Sequence, residues 1–109
     1  MDNNEKARKI ISENLYMTIS VASKQGDPWI ANIYYAVDSD YNFYWYSPTN
    51  SHHSTLIREN PVIAISIFNS TAVGDDVDAV YTDTLWTPLR YAHRFYSNTN
   101  FVCPLSCFS

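Results

Sequence analysis

Residues 44–69 constrain the fold more than any other part of this chain. They read YWYSPTNSHHSTLIRENPVIAISIFN, so an aromatic strand leads through a polar turn into a helix and then into a run of β-branched residues. Ser51 is a good N-cap, and Pro61 disfavours helical geometry at Asn60 and so ends the helix. We therefore predict a short helix over residues 51–60 between two strands.

Alternation of apolar and polar residues predicts further strands on both sides of this stretch. A first strand begins at Leu15, after a helix that Asn3 or Asn4 can cap, and residues 29–37 and 42–46 form the next two. Residues 62–68 are almost continuously apolar, which predicts a strand covered on both faces, and residues 77–82 predict a fifth strand. Short turns and few helices indicate a mainly β, α+β domain, either a small antiparallel barrel or a sandwich.

Composition excludes several classes of protein. The 109 residues suit one domain, and 46% hydrophobic residues exceed what a disordered chain contains. A net charge of −4 with only seven Lys and Arg disfavours nucleic-acid binding. No apolar run is long enough to cross a bilayer, and the polar N-terminus lacks a signal peptide's apolar core, so we expect a cytoplasmic protein. Cys103 and Cys107 are then expected to be reduced thiols, and without a second ligand pair they predict no metal site.

The C-terminal part lacks the order of the preceding strands. No apolar period holds for long after Leu85, so we predict a domain over residues 1–83 and a divergent tail of low order over residues 84–109. Within the tail, residues 90–96 are compatible with a short helix.

The start of the short helix has the chemistry of an anion site. A helix N-terminus presents unpaired N–H groups and a partial positive charge, and Ser51, His52, His53 and Ser54 surround it, with Ser47 and Thr49 just before. A phosphate is the anion that this donor set favours. The same pattern also fits a solvated cap with surface histidines, and a hydrolase using His53 with a nearby serine is a third interpretation. The aromatic strands fit core and interface packing, or a planar cofactor lying against a strand.

Together, PWIANIYYAVDSDYNFYWYSPTNSHHSTLIRENPVIAISIF resembles the pyridoxamine 5′-phosphate oxidase-like proteins, which are FMN-binding split β-barrels. The resemblance covers residues 10–81, and its most specific part runs from the Ser-x-His-Ser helix start to the Asn-Pro stop. It implies a split β-barrel, with FMN in the groove of a homodimer. It also implies a set of FMN-binding residues: Ser47, Ser51, His52 and His53 for the phosphate, Tyr46 beside them, and Ala31, Asn32 and Ile33 along the flavin ring.

The chain differs from the pattern of this family at two places. Related phosphate sites usually carry Arg or Lys at the helix start, where this chain has His52 and His53, and the nearest arginine is Arg58. The family also continues with a further strand and helix after a segment like residues 78–81, which residues from Thr84 onward do not resemble.

The resemblance implies an FMN-binding protein, and a flavin-dependent oxidoreductase acting on a small molecule is the leading interpretation. No residue can be named as a catalytic acid or base. The alternatives are a non-catalytic carrier or sensor of flavin, haem or a deazaflavin, and a β-barrel interaction module whose site has decayed.

Overall fold

The structure is a computed structural model that describes residues 2–74, 78–88 and 98–104, the last segment and Pro88 by their backbone only. Two helices and eight strands follow one another along it. In chain order they are α1 (Asn3–Glu13), β1 (Tyr16–Ala22), β2 (Pro28–Tyr34), β3 (Ala36–Val37), β4 (Asn42–Pro48), α2 (His52–Glu59), β5 (Val62–Phe68), β6 (Ala79–Leu85), β7 (Thr87–Pro88) and β8 (Asn98–Pro104).

The strands form two four-stranded antiparallel sheets. Sheet 1 has the order β2-β1-β5-β6, and sheet 2 has the order β3-β4-β8-β7. The chain passes from sheet 1 to sheet 2 at Tyr35, between β2 and β3, and again at Trp86, between β6 and β7. At each crossing a single residue separates a strand of sheet 1 from the next strand, which belongs to sheet 2. The two sheets therefore curl around a common interior. The prediction of a mainly β, α+β fold with antiparallel strands and two helices is confirmed.

The core lies between the two sheets and under the helices. Alternate residues of β1 point inward, so Met17, Ile19 and Val21 are buried as the alternation predicts. Sheet 2 contributes Phe43 and Trp45, and α2 contributes Leu56 and Ile57. The helix α1 packs Ala7 and Ile11 onto the same interior, and the hydroxyl of Tyr35 donates a 2.7 Å hydrogen bond to the carbonyl of Ile11.

The two helices begin at side-chain caps. Ser51 caps α2 as predicted, because its Oγ accepts from the N–H of Ser54 at 3.3 Å. The prediction that Asn3 or Asn4 caps α1 is wrong, since Asp2 does so, and its Oδ1 accepts from the N–H of Glu5 at 2.8 Å. Asp2 is extended and lies three residues before that donor, which is the spacing that an N-cap requires.

The prediction that β5 is covered on both faces holds for one face only within the single chain. Ile63, Ile65 and Ile67 are buried, whereas Val62 and Phe68 on the other side are exposed. This outer face of sheet 1 carries seven exposed large apolar residues, Tyr16, Ile30, Tyr34, Val62, Phe68, Tyr81 and Leu85. Strand β5 has apolar residues on both sides, but only one side packs against the rest of the described chain.

Three strands continue into the segment that the sequence left without periodicity. Strand β6 runs to Leu85 and therefore crosses the predicted boundary at residue 83, and β7 follows it directly. Strand β8 then pairs with β4 from Asn42↔Pro104 to Pro48↔Asn98. The division into a domain and a tail of low order stays a prediction, while residues 90–96, with their predicted helix, and Cys107 lie outside the described part.

Candidate functional site

The turn between β4 and α2 brings the hydroxyl groups of the predicted anion site together. Tyr46 and Ser47 lie on opposite sides of β4, so Tyr46 faces out and Ser47 faces in, where only 3% of it is exposed. The N–H of Ser51 donates to the carbonyl of Pro48 at 3.0 Å, which closes the turn. The chain then enters α2 with Ser51 next to the buried end of β4.

His53 connects the two serines across this turn. Its Nε2 lies 2.8 Å from Oγ of Ser47 and 3.4 Å from Oγ of Ser51. Ser51 in turn donates to Oγ of Ser54 at 2.7 Å, and Ser54 is fully buried. These three serines and His53, which we call the hydroxyl–imidazole cluster, lie directly at the N-terminus of α2.

The electrostatics of the cluster suit an anion. Burial lowers the pKa of His53 below its ordinary value of 6.5, and the neighbouring His52 lowers it further. His53 is therefore neutral at pH 7 in the free protein, and a nearby anion would favour its charged form. The first turn of α2 has no acidic residue, so nothing there opposes the partial positive charge of the helix N-terminus.

His52 points away from the cluster and packs against β2. Its ring contacts that of Trp29, with the ring centroids 4.7 Å apart and the planes perpendicular. Both side chains are exposed, so this contact lies at the surface. It joins the start of β2 to the start of α2, and these two elements together with β4 carry the predicted FMN-binding residues.

Strand β2 lies at the edge of sheet 1. The N–H of Tyr35 donates to the carbonyl of Leu15, so the odd-numbered residues of β2 direct their backbone groups toward β1. By this alternation the N–H groups of Ala31 and Ile33 face β1, and that of Asn32 faces the free edge. Of the three predicted ring contacts, Asn32 is thus the one whose N–H points away from β1.

The structure therefore sorts the predicted site residues into three groups. Ser47, Ser51 and His53 form one cluster, and His52 lies beside it against Trp29. Ala31, Asn32 and Ile33 follow Trp29 along the edge strand, with the side chain of Ile33 in the core. Tyr46 lies next to Ser47 in sequence on the opposite face of β4.

Two contacts at this site lie outside the FMN-binding set that the resemblance implies. Ser54, which the sequence placed at the predicted anion site, completes the cluster, because residues three apart share a helix face. Arg58 extends from the last turn of α2 and donates from Nη2 to the carbonyl of Thr49 at 2.7 Å. The sequence shows Arg58 as the nearest arginine and places it on the helix face of Ser51, but it does not specify Thr49 as the acceptor.

The hydrolase interpretation fits poorly with this geometry. The distance of 2.8 Å between Ser47 and His53 suits a nucleophile and its base. However, the side chain of Ser47 is buried, and a substrate carbonyl has to reach the oxygen of a nucleophile.

Within the described ranges no group of three His, Cys, Asp or Glu residues is arranged to hold a metal ion.

Comparison with known proteins identifies the fold but no sequence family. No family model matches the chain, and no curated protein matches its sequence. Among solved structures, HutZ, a haem storage protein from Vibrio cholerae, superposes with a TM-score of 0.81 at 9% identity, over 99% of this chain and 93% of that one. A FAD-binding protein from Mesorhizobium loti has a TM-score of 0.78 at 14% identity, with coverage of 98% and 91%. An F420 reductase has a TM-score of 0.73 at 14% identity, with coverage of 94% and 95%.

These similarities establish a fold class. The chain has the split β-barrel fold that these three proteins share, and at such low identity the likeness extends to the fold alone. In the part of the chain that the structure describes, no helix is long and apolar enough to cross a membrane.

Proposed function

We propose that this protein binds FMN at the N-terminus of α2 and along the edge of β2. The observation that carries the proposal is the hydroxyl–imidazole cluster, in which Ser47, Ser51 and His53 meet within 3.4 Å at a helix N-terminus free of acidic residues. Structurally similar proteins are a FAD-binding protein and an F420 reductase, which supports a flavin-type ligand.

The donor set fits a phosphate group. The N–H groups of His52 and His53 lie in the first turn and have no intrahelical acceptor, and the half-buried side chains of Ser51 and His53 lie beside them. The buried Ser47 contacts His53 from the interior and positions its imidazole. His53 can also take up a proton when a dianion binds, because burial keeps it neutral beforehand. On the β2 side, the N–H of Asn32 is available to an acceptor on a flat ring lying along the strand.

A bound flavin would supply the hydride and electron chemistry, and the protein would supply binding and orientation. An FMN-dependent oxidoreductase acting on a small molecule in the cytoplasm is our leading proposal. The described residues nominate no catalytic acid or base, so a flavin carrier or sensor is its direct competitor. Oxidation of NAD(P)H by the flavin-loaded protein, measured at 340 nm against free FMN, separates an enzyme from a carrier.

Loss of the cluster tests the site. We expect a Ser51→Ala/His53→Ala variant to bind FMN at least about tenfold more weakly, since hydrogen bonds to a charged group contribute ~1.5–3 kcal/mol each. Flavin fluorescence during titration gives the affinity. A Ser12→Ala variant on α1 is the matched control, and circular dichroism checks that the cap deletion leaves the fold intact. Unchanged FMN affinity in the double variant would remove the proposed site.

A haem carrier is a second candidate. HutZ from Vibrio cholerae and a heme binding protein from Mycobacterium smegmatis share this fold, and His52 offers an exposed imidazole as an axial ligand. Titration with hemin distinguishes the two functions. A Soret band that shifts in a His52→Ala variant favours haem, whereas saturable FMN binding without such a band favours the flavin.

We also infer that the outer face of sheet 1 pairs with a second copy of the chain. Seven large apolar side chains are exposed on it, and Ile30 and Tyr81 border a depression of about 480 Å³ whose floor carries small residues. Large apolar side chains exposed together on one face of a sheet mark an interface more often than a free surface. Asp83 is the one charged residue among the described residues lining this depression.

The dimer has its own test. An Ile30→Asp/Tyr81→Asp variant would place two charges per chain in the interface, so we expect it to run as a monomer in analytical ultracentrifugation. Val73→Asp is the control, because Val73 is 78% exposed in the loop after β5, away from this face. A wild-type chain that sediments as a monomer at all concentrations contradicts the pairing.

A further inference from the structure

The side chain of Arg58 reaches the N-terminus of α2, although Arg58 lies in the last turn of that helix. Its Nη2 donates to the carbonyl of Thr49 at 2.7 Å. Thr49 belongs to the turn that connects Ser47 at the end of β4 with the cap Ser51. The only arginine or lysine of α2 therefore contacts the turn that builds the hydroxyl–imidazole cluster.

Helix geometry explains how a distant residue reaches this place. Arg58 follows Ser51 by seven residues and Ser54 by four, so the three lie along one face of α2. Side chains on a helix lean toward its N-terminus. An extended arginine on this face therefore runs back along the helix toward the first turn, where the Thr49 carbonyl receives it.

The cluster needs a fixed charge that its own residues do not provide. The first turn of α2 contains no lysine or arginine, and its donors are hydroxyls, backbone N–H groups and imidazoles. Burial keeps His53 neutral in the free protein at pH 7. A guanidinium, in contrast, is charged at every accessible pH and carries five N–H donors, of which the bond to Thr49 uses one.

We propose that Arg58 supplies the permanent positive charge that attracts a phosphate group to the N-terminus of α2, with the Thr49 carbonyl holding its guanidinium in position. This inference rests on the proposed function, because it concerns the same site. Arg58, a residue outside the helix start, then takes part in phosphate recognition. Its charge makes the site bind a phosphorylated ligand more tightly than the same ligand without its phosphate.

A purely structural role would have a different signature. If Arg58 only braced the turn through Thr49, its loss would weaken the whole site or the fold. Binding of ligands with and without phosphate would then fall together. If Arg58 contributes its charge to the phosphate, only the phosphorylated ligand loses affinity. FMN and riboflavin differ by that phosphate group, so the ratio of their affinities isolates its contribution.

The experiment measures FMN and riboflavin binding by wild type, Arg58→Gln and Arg58→Lys, with Arg8→Gln on α1 as the matched control. We expect Arg58→Gln to reduce the FMN-to-riboflavin affinity ratio by about tenfold, since a charge-assisted contact is worth more than a neutral one. Arg58→Lys should keep the ratio within about twofold of wild type because it keeps the charge. Arg8→Gln should leave the ratio unchanged.

Failure of this inference is distinct from failure of the proposed function. If wild type prefers FMN over riboflavin and Arg58→Gln preserves that preference, the proposal for Arg58 is overturned while the phosphate site stands. An equal loss of both ligands in Arg58→Gln also overturns it, in favour of a bracing role. If wild type binds neither FMN nor inorganic phosphate, the proposed function is overturned and this inference with it.

Discussion

The two helices of this protein begin with the same geometry and opposite chemistry. Asp2 caps α1 and Ser51 caps α2, each accepting a hydrogen bond from the N–H three residues later. The first turn of α1 also carries Glu5, so two carboxylates oppose any anion there. The first turn of α2 has no acidic residue and meets Ser47 and His53. A capped helix start thus becomes an anion site only through its surroundings.

Replacing Ser51, the α2 cap, by aspartate, the residue type that caps α1, should have the largest effect on FMN affinity. Aspartate caps as well as serine, so we expect Ser51→Asp to leave the fold intact. Its charge would face the phosphate, and two charges 4 Å apart interact by about 4 kcal/mol near a protein surface, so FMN affinity should fall at least ~100-fold. The reverse change, Asp2→Ser, is the control in the same titration and should not alter FMN affinity. Wild-type affinity in Ser51→Asp would show that the α2 start does not hold the phosphate.

The pH dependence of FMN binding tests the role of His53, which only the α2 start has beside it. Burial lowers the pKa of His53 below 6.5, whereas a bound dianion favours the charged form, so binding should take up a proton. FMN affinity should therefore decrease as pH rises, by about tenfold between pH 6 and pH 8. Because the ligand's own phosphate also titrates near pH 6, the measured quantity is the difference between wild type and His53→Gln, which should respond less to pH. The same change of FMN affinity with pH in wild type and His53→Gln would contradict proton uptake by His53.

The contact between Trp29 and His52 ties α2 to the edge strand. An aromatic pair of this kind contributes about 0.5–1.5 kcal/mol beyond area burial, so Trp29→Leu should weaken FMN binding by roughly threefold to tenfold. A double-mutant cycle with His52→Ala measures whether the two residues act through their contact. Additive effects of the two changes would mean that they act separately.

The α1 cap should affect stability alone. Asp2→Ala removes the acceptor of the Glu5 N–H, and losing a cap costs about 0.5–1 kcal/mol in the free energy of unfolding. Urea denaturation followed by circular dichroism measures this loss. The same variant should bind FMN like the wild type, because α1 lies outside the proposed site. A change in FMN affinity would show that the two helix starts are not independent.

Much of the fold could be predicted from local patterns. The alternation around Met17 and Ile19, the Ser51 cap and the Pro61 stop each depend on a few neighbouring residues, and the structure agrees with them. The free outer side of β5 could not be predicted in this way. Its apolar residues are the same whether a partner covers them or not, so sequence reports the tendency to be buried and not what buries it.

Local sequence was enough to predict the start of α2 at Ser51, its end before Pro61 and the alternation of β1, because capping, proline and hydrophobic period act over one or two turns of chain. Only the tertiary structure decided that β8 pairs with β4, that Trp29 meets His52 and that Arg58 reaches Thr49. These contacts depend on strand register and on how side chains extend after packing, and no short motif specifies either one. The anion site therefore combines a helix start that the sequence predicts with surroundings that only the folded chain provides.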